Sequence, residues 1–328
     1  MTFEPVVVKA DDDGARLDRW IKKYYPAIAF GQAQKALRKG EIRINGKRAK
    51  GEARLSTNDS LRLPPYFFTG QPQSKATTVS RVSDKDTDYI RSMVIYEDAD
   101  IVVINKPAGL ATQGGTGIKN HVDRLLDGLK KRPDDARPKL VHRLDKETSG
   151  VLVLGKTAAS TRYLMDMFKT RDIDKIYLAV TMPVPRQDEG EIRGGLVKLG
   201  NSAGFEKVVL DDDTGKSART LFKVLDKAAK SAALVAFKPL TGRTHQIRVH
   251  AAEALETPII GDFKYGFERE TLQDTPLAKT LHLHALRLII PKPGNKGSWI
   301  LEAPVSKHIQ ETIEFFGFEY NRDELEGL

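Results

Sequence analysis

Apolar residues near the N-terminus recur at the three- and four-residue spacing of an amphipathic helix. They are Leu17, Trp20, Ile21 and Tyr24. Pro26 ends this helix, because proline cannot continue the backbone hydrogen-bond ladder. A second helix is predicted over residues 31–39, with Gly40 as its C-cap. Asn45-Gly46 then separates two short runs, which predicts a β-hairpin.

From about Tyr89 the pattern changes to strand-rich segments. Apolar and β-branched runs predict a hairpin over 94–107 and further strands at VLVLGK, IYLAV, RTLFKVL, AALVAFKPL and LHLHALRLII. Helices are predicted near 120–130, 157–168, 245–255 and 307–316. Because the strands outnumber the helices and do not alternate with them regularly, the predicted fold class is α+β with a mixed, mainly antiparallel sheet.

A composition change separates these two regions. Residues 66–88 are rich in Pro, Gln, Ser and Thr, which is typical of a linker. We therefore predict a small domain over 1–65, a linker over 66–88 and a second domain over 89–328. A chain of 328 residues is long enough for two domains.

Positive charge is concentrated in the first domain. The chain has a net charge of +9, and the segment between Gly14 and Pro65 alone holds thirteen basic and four acidic residues. Such a field on a small unit predicts binding of a polyanion, although charge runs are more often solvated faces. The candidate nucleic-acid contacts are Arg16, Arg19, Lys22, Lys35, Arg38, Lys39, Arg43, Lys47 and Arg48.

Other composition features narrow the class of protein. The chain has no cysteine, which excludes a disulfide framework and a thiolate metal site and fits a reducing compartment. The N-terminus lacks the basic flank and apolar core of a signal peptide. No apolar run approaches the ~20 residues needed to span a bilayer. We therefore expect a cytoplasmic protein without a membrane partner.

Residues 150–157, GVLVLGKT, match the phosphate-loop pattern G-x-x-x-x-G-K-[ST]. In such a loop a strand precedes the first glycine, and the four variable residues wrap the phosphates. Here the variable residues are VLVL, which favour a buried strand, and the polar turn DKETS precedes Gly150. The sequence therefore predicts a strand at this position, with a nucleotide hydrolase as the weaker alternative.

Few other residues are arranged for chemistry. His282 and His284 share a strand face without an acidic neighbour in sequence, and His245 and His250 are five residues apart. Neither spacing predicts a metal site. What remains is a set of polar residues within apolar strands and turns: Arg143, Asp145, Tyr177, Arg243 and Arg248.

Five motifs between Val94 and Val305 carry a family resemblance. HRLDKETSG, DKIYLA, LTGRTHQIRVH, PIIGDFKYG and LHLHALRL together resemble the RluA-type pseudouridine synthases. The first domain resembles the alpha-L RNA-binding domain that precedes the catalytic domain in RluC- and RluD-like members, which modify large-subunit ribosomal RNA. The resemblance implies an active site in a central cleft, isomerisation of uridine to pseudouridine, and no metal or organic cofactor.

The resemblance also implies roles for particular residues. Asp145 matches the catalytic aspartate, which acts as a nucleophile at C1′ or as a base at C2′ of the ribose. Burial favours the neutral carboxyl, so a guanidinium is expected beside it; by motif position this is Arg248 rather than Arg243. Tyr177 matches the family tyrosine, whose ring stacks on the detached uracil.

Arg143 matches an arginine that fills the gap left when the target base is extruded from the RNA. The alternative is a simple ion pair with Asp145 or Glu147. We predict a monomeric ribosomal RNA pseudouridine synthase, closest to RluC-like members and acting on 23S rRNA. The alternatives are a non-enzymatic RNA-binding ribosome-assembly factor with the same fold, or an RluD-like or transfer-RNA-specific synthase.

Overall fold

The computed structural model describes residues 4–68, 82–115, 118–132, 134–200, 206–294, 296–325 and 327–328. The chain divides into two compact units, residues 1–81 and 82–328. The middle of the predicted linker, residues 69–81, lies outside the described residues. On either side of it, Phe67 is buried in the core of the first unit, and a helix begins at Asp84 in the second unit. The end of the predicted linker is therefore helical.

The first unit joins a small sheet to two helices. Its elements are β1 (Val6–Val7), α1 (Leu17–Tyr24), α2 (Phe30–Lys39), β2 (Arg43–Ile44), β3 (Lys47–Arg48) and β4 (Ser60–Arg62). The strands pair antiparallel in the order β1-β4-β2-β3. Asn45 and Gly46 have φ of 48° and 77°, the left-handed pair that a tight two-residue hairpin requires. Leu17, Trp20 and Ile21 are buried, as the helical spacing predicts.

The second unit holds the remaining elements. Its helices are α3 (Asp84–Ser92), α4 (Val122–Leu125), α5 (Ala158–Thr170), α6 (Gln246–Val249) and α7 (Lys307–Phe316). Its strands are β5 (Val94–Glu97), β6 (Ile101–Lys106), β7 (Lys139–Leu140), β8 (Ser149–Gly155), β9 (Asp174–Thr181), β10 (Glu189–Gly200), β11 (Glu206–Leu210), β12 (Lys216–Ala228), β13 (Ala232–Pro239), β14 (Leu283–Pro291) and β15 (Ser298–Glu302).

These strands form one mixed sheet in the order β11-β10-β12-β13-β9-β14-β8-β6-β5, with β15 beside β14 and β7 beside β8. Of the strand pairs of this sheet among the described residues, only β14 and β8 are parallel, at His284↔Ser149 and Ala285↔Gly150. The predicted α+β class with a mainly antiparallel sheet is confirmed. The sequence pattern missed β10, β11 and β15, because their apolar positions are diluted by charged residues and glycines.

The strand β8 explains why GVLVLGKT imitates a phosphate loop. Its alternate side chains enter two cores, one through Val151 and Val153 and the other through Leu152 and Leu154. A strand that is buried on both faces needs an unbroken apolar run. The nucleotide-loop alternative is therefore excluded by the geometry of this segment.

Both glycines of that pattern have packing reasons. Gly150 has φ of 113°, and a Cβ there would lie 2.2 Å from the Ala285 carbonyl oxygen across the parallel pair. A Cβ on Gly155 would lie 2.4 Å from Thr161 Oγ1 of α5. The first glycine thus permits the junction of β8 with β14, and the second permits the close approach of a helix.

Candidate active site

A cavity of ≈ 400 Å³ opens in the second unit beside the parallel junction of the sheet. Its walls come from the HRLD turn before β8, from β9, and from the segment between β13 and α6. Asp145, Tyr177, Arg143 and Arg248 all line it. The structure therefore brings together four residues that lie up to about a hundred positions apart in the sequence.

Asp145 lies on the turn between β7 and β8, with 24% of its side chain exposed. The turn is closed by the Thr148 amide, which donates to the Asp145 carbonyl oxygen at 3.2 Å. The preceding residue, Leu144, is held by Thr112, whose hydroxyl donates to the Leu144 carbonyl at 2.7 Å and accepts from its amide at 3.2 Å. The carboxylate is therefore carried by a backbone with little freedom to move.

Lys106 at the end of β6 braces the same turn. Its side chain is fully buried, and its ammonium donates to the carbonyl oxygens of Pro107 at 2.9 Å, Leu110 at 2.8 Å and Lys146 at 3.2 Å. Burial lowers the pKa of Lys106 to about 7, against the charges of Glu147 and Asp145. Our sequence reasoning missed this residue, although a lysine within the apolar run IVVINKP was a visible signal.

Tyr177 lies on β9, opposite Phe237 of β13 and Ala285 of β14. Burial raises the pKa of its hydroxyl well above the usual value, and the nearby charge of Asp145 raises it further. The phenol is therefore neutral at physiological pH and lies close to the carboxylate. Lys175, two residues earlier on the same strand face, also lines the cavity.

Arg248 does not pair with Asp145 in the way that its motif position predicts. Its Nε and Nη2 atoms donate to the two carboxylate oxygens of Asp262 at 2.7 and 2.6 Å. Burial alone lowers the pKa of Arg248, but the hydrogen bonds and charge of Asp262, with a smaller contribution from Asp145, raise it. Because Asp262 is only 1% exposed, it requires a cation of its own.

His245 is the basic side chain that approaches Asp145 instead. Its Nε2 atom lies 3.7 Å from Asp145 Oδ2, and its Nδ1 atom lies 2.6 Å from the Tyr265 hydroxyl. Burial lowers the pKa of His245, against the opposing charge of Asp145. No spacing along the chain indicates this contact, because His245 and Asp145 are a hundred residues apart.

Arg143 is exposed where it lines the cavity. Within the part of the chain that the structure describes, it forms no ion pair with Asp145 or Glu147, and Glu147 lies 3.7 Å from Lys146 instead. The simple ion-pair alternative is therefore not what the structure contains. Arg243 donates through Nε to the Ser217 carbonyl at 3.1 Å, so it is not the counterion of Asp145 either.

An aromatic pair forms another part of the cavity wall. His142 stacks on Phe168 with ring centroids 4.2 Å apart, and its Nε2 atom accepts from the Val153 amide at 2.9 Å. Burial lowers the pKa of His142 to about 3, with a smaller effect from Lys175. A flat, neutral surface therefore lies beside the reactive turn.

The cations of the first unit are mostly exposed. Those at the surface are Arg19, Lys22, Lys35, Arg38, Lys39, Lys47 and Arg48, whereas Arg16 and Arg43 are half-buried. Arg16 donates to both carboxylate oxygens of Asp18, and Lys39 lies 3.7 Å from Glu41. Considering only the residues that the structure describes, Lys22, Lys35, Arg38 and Lys47 form no ion pair with an acidic residue, whereas the charge of Arg19 acts on Asp18.

The described ranges lack two features, a membrane-spanning helix and a metal-binding cluster. No helix there is both long and apolar enough to cross a membrane. Nor does any group of three or more histidine, aspartate and glutamate side chains come together in a way that could hold a metal ion.

Known proteins match both units. Residues 100–253 match the RNA pseudouridylate synthase family, and residues 15–61 match the S4 domain. The chain is 38% identical to the ribosomal large subunit pseudouridine synthase C of Rickettsia bellii, over 85% of this chain and 90% of that protein. It is 33% identical to the protein of the same name in Escherichia coli K12, over 94% of this chain and 95% of that protein.

A solved human structure, RNA pseudouridylate synthase domain containing 4, has the same catalytic fold. It superposes with a TM-score of 0.61 at 27% identity, and the match covers 73% of this chain and 99% of that one. The two family matches, the high coverage of the relatives and the shared fold all agree. The chain belongs to the RNA pseudouridylate synthase family, the enzymes that isomerise uridine in RNA to pseudouridine.

Proposed function

We propose that this enzyme isomerises uridines of large-subunit (23S) ribosomal RNA and that Asp145 is its reacting carboxylate. The observation that carries the assignment of Asp145 is its position in the cavity, on a turn braced by Lys106 and Thr112 and close to Tyr177. The RNA substrate is inferred from the relatives, which are named as ribosomal large subunit synthases. Such a substrate is found in the bacterial cytoplasm.

The reaction breaks the bond between C1′ and N1, turns the uracil and joins C1′ to C5; N1 gains a proton and C5 loses one. Asp145 attacks C1′ as a nucleophile or removes a proton from C2′, and both roles require its ionised form. The ring of Tyr177 faces the same cavity and suits stacking on the detached uracil. Its neutral hydroxyl is suited to passing the proton of C5.

Base extrusion precedes this chemistry, because the ribose carbon is inaccessible while the base is stacked. Arg143 suits the place of the extruded base, since its planar guanidinium can stack and donate hydrogen bonds. Its exposure and its lack of an ion pair with the neighbouring described carboxylates support this role. The exposed cations of the first unit suit the RNA backbone.

Pseudouridine mapping in cells that lack the gene tests both the activity and the substrate. We expect specific pseudouridines to disappear from 23S rRNA and to return with the wild-type gene but not with D145N. Return of the modification with D145N would remove Asp145 from the mechanism. Unchanged 23S rRNA with losses in transfer RNA would redirect the substrate, and ribosome-assembly defects rescued by D145N would favour the non-enzymatic factor.

A further inference from the structure

The backbone at His245 is held in an uncommon conformation. His245 precedes α6 with φ of 54° and ψ of 19°, in the left-handed region that side chains other than glycine rarely adopt. Gln246 Oε1 pins the adjoining loop by accepting from Thr241 Oγ1 at 2.6 Å and from the Arg243 amide at 3.1 Å. Backbone strain of this kind persists where the surrounding contacts enforce it, and it is concentrated at functional sites.

The hydrogen bonds of Tyr265 indicate which nitrogen of His245 carries the proton. The Tyr265 oxygen accepts from the Val208 amide at 3.1 Å and lies 2.6 Å from His245 Nδ1. An oxygen that already accepts from the Val208 amide completes its bonding by donating its hydroxyl hydrogen, and Nδ1 is the acceptor within reach. A neutral ring that accepts at Nδ1 carries its proton on Nε2.

The other side of the ring leads to the same tautomer. Nε2 lies 3.7 Å from Asp145 Oδ2, slightly beyond hydrogen-bond length. A bare Nε2 lone pair there would face a carboxylate oxygen and repel it, whereas an N–H is attracted to it. Tyr265 also packs edge-on against the imidazole, with centroids 5.5 Å apart, so the ring cannot turn away freely.

The charged groups around His245 compete. Asp145 and Asp262 favour its protonated form, Arg248 and Lys264 oppose it, and burial opposes it most strongly, so the pKa of His245 is lowered. The ring is therefore neutral under neutral conditions. A neutral ring bonded in this way presents one proton to Asp145.

We propose that His245 is a positioning residue for Asp145: the Tyr265 hydroxyl fixes the imidazole tautomer, and the Nε2–H group orients the carboxylate toward the ribose. Arg248, which the sequence places beside Asp145, donates its two hydrogen bonds to Asp262 and acts on Asp145 through charge, so the donor nearest to Asp145 is His245. The inference rests on the proposed catalytic role of Asp145. Donors preorganised around a reacting group cost no reorganisation during the reaction.

Three variants test the proposal through steady-state rates on RNA. H245L removes both ring nitrogens, and we expect kcat to fall about 100-fold with little change in KM. H245Q replaces the Nε2–H with an amide donor and should be at least about tenfold faster than H245L. Y265F keeps the packed ring but frees the tautomer, so its loss should be intermediate.

A second measurement does not depend on activity. Two-bond ¹⁵N–¹H spectra of the wild-type enzyme distinguish a protonated from a bare ring nitrogen, and the His245 signals are identified by their absence in H245Q. We expect the proton on Nε2 in the wild type and a mixture of tautomers in Y265F. This measurement remains decisive if H245L does not fold.

The outcomes separate this proposal from the proposed function. An inactive wild-type enzyme would contradict the proposed function itself. If the wild type is active, the role of His245 is overturned by any of three results: H245L keeps the wild-type kcat, H245Q is as slow as H245L, or the proton lies on Nδ1.

Discussion

The two units of this enzyme use charge in opposite ways. In the first unit, arginines and lysines are mostly exposed and several lack an acidic partner among the described residues. Around the reactive turn of the second unit, Lys106, Asp145 and Arg248 are buried or half-buried and are held by specific contacts. Exposed cations attract a polyanion over many geometries, whereas chemistry at one ribose requires a single geometry.

This difference has a consequence for mutations. Substitution of one exposed cation should change RNA affinity gradually and leave the chemical step intact. Substitution of one cavity residue should cause a large loss of kcat or of unfolding free energy. A buried group that loses its partner cannot form replacement hydrogen bonds with water. Four predictions test the contrast, beginning with the largest effect.

Asp145→Asn should nearly abolish activity while sparing RNA binding. The amide is nearly isosteric with the carboxylate but is neither a nucleophile nor a base, so we expect kcat to fall more than about 1000-fold. Tritium release from C5-labelled uridine in RNA measures the loss, and a filter-binding assay should give a Kd within about threefold of wild type.

Glu147→Gln is the matched control, because Glu147 lies on the same turn, its charge acts on Lys106 as that of Asp145 does, and its ion pair among the described residues is with exposed Lys146. Its kcat should stay within a few-fold of wild type, since surface ion pairs contribute little. Equal losses in the two variants would mean that the turn responds to charge in general and that Asp145 has no special role.

Arg248→Met should destabilise the second unit strongly. It leaves the carboxylate of Asp262 buried without its cation, which costs about 3–5 kcal/mol of unfolding free energy. Arg16→Met in the first unit removes a comparable two-bond contact with Asp18, but the Arg16 side chain is 42% exposed, so the loss should be less than about 1 kcal/mol. Urea unfolding measures both. Similar losses would contradict the contrast between the units.

Mild acid should destabilise the second unit and spare the first. Burial lowers the pKa values of His250, His282 and His284 to about 4, whereas the unfolded chain binds these protons near pH 6.5. The free energy of unfolding is therefore intact above pH 6.5 and falls as the pH drops toward 4, by at most about 1.4 kcal/mol per pH unit for each histidine. Residues 1–81 contain no histidine.

One tryptophan in each unit reports this difference. Trp20 is buried in the first unit and Trp299 in the second. Urea unfolding of W299F follows Trp20, and unfolding of W20F follows Trp299. Between pH 7.5 and pH 5 the Trp299 transition should move to lower urea, while the Trp20 transition should stay nearly constant. If the Trp20 and Trp299 transitions moved by the same amount, the histidines of the second unit would not be the cause of the acid destabilisation.

The sequence predicted the elements that carry strong periodicity and missed those that depend on partners. Helix α7 was predicted to the residue, and β8 was separated from a phosphate loop, because apolar spacing alone determines both. Strand β10 was missed because charged residues and glycines interrupt its pattern, and its pairing with β11 and β12 forms it.

The residues of the candidate site also fall into those that motifs predicted and those whose contacts no motif predicted. Asp145, Tyr177 and Arg143 were found through motifs and lie in one cavity, as expected. Arg248 lines the same cavity, but its direct ion pair is with Asp262 and it acts on Asp145 through charge. Motif position cannot show that a second carboxylate is buried beside the guanidinium. The contact of His245 also depends on distant parts of the chain meeting, which no local spacing encodes.

The smallest effect is expected from the first unit. Replacing the unpaired cations Lys22, Lys35 and Lys47 together with Gln should weaken RNA binding about tenfold at moderate salt. The slope of log K against log salt should fall by about 2, since each lost phosphate contact to single-stranded RNA removes about 0.7. At saturating RNA the kcat should stay unchanged, because these residues are not part of the cavity. Lys39→Gln, which removes a cation lying near Glu41, should alter the slope least. A lower kcat with an unchanged salt slope would show that these lysines affect the chemical step. It would contradict the assignment of RNA binding to the first unit and of chemistry to the second.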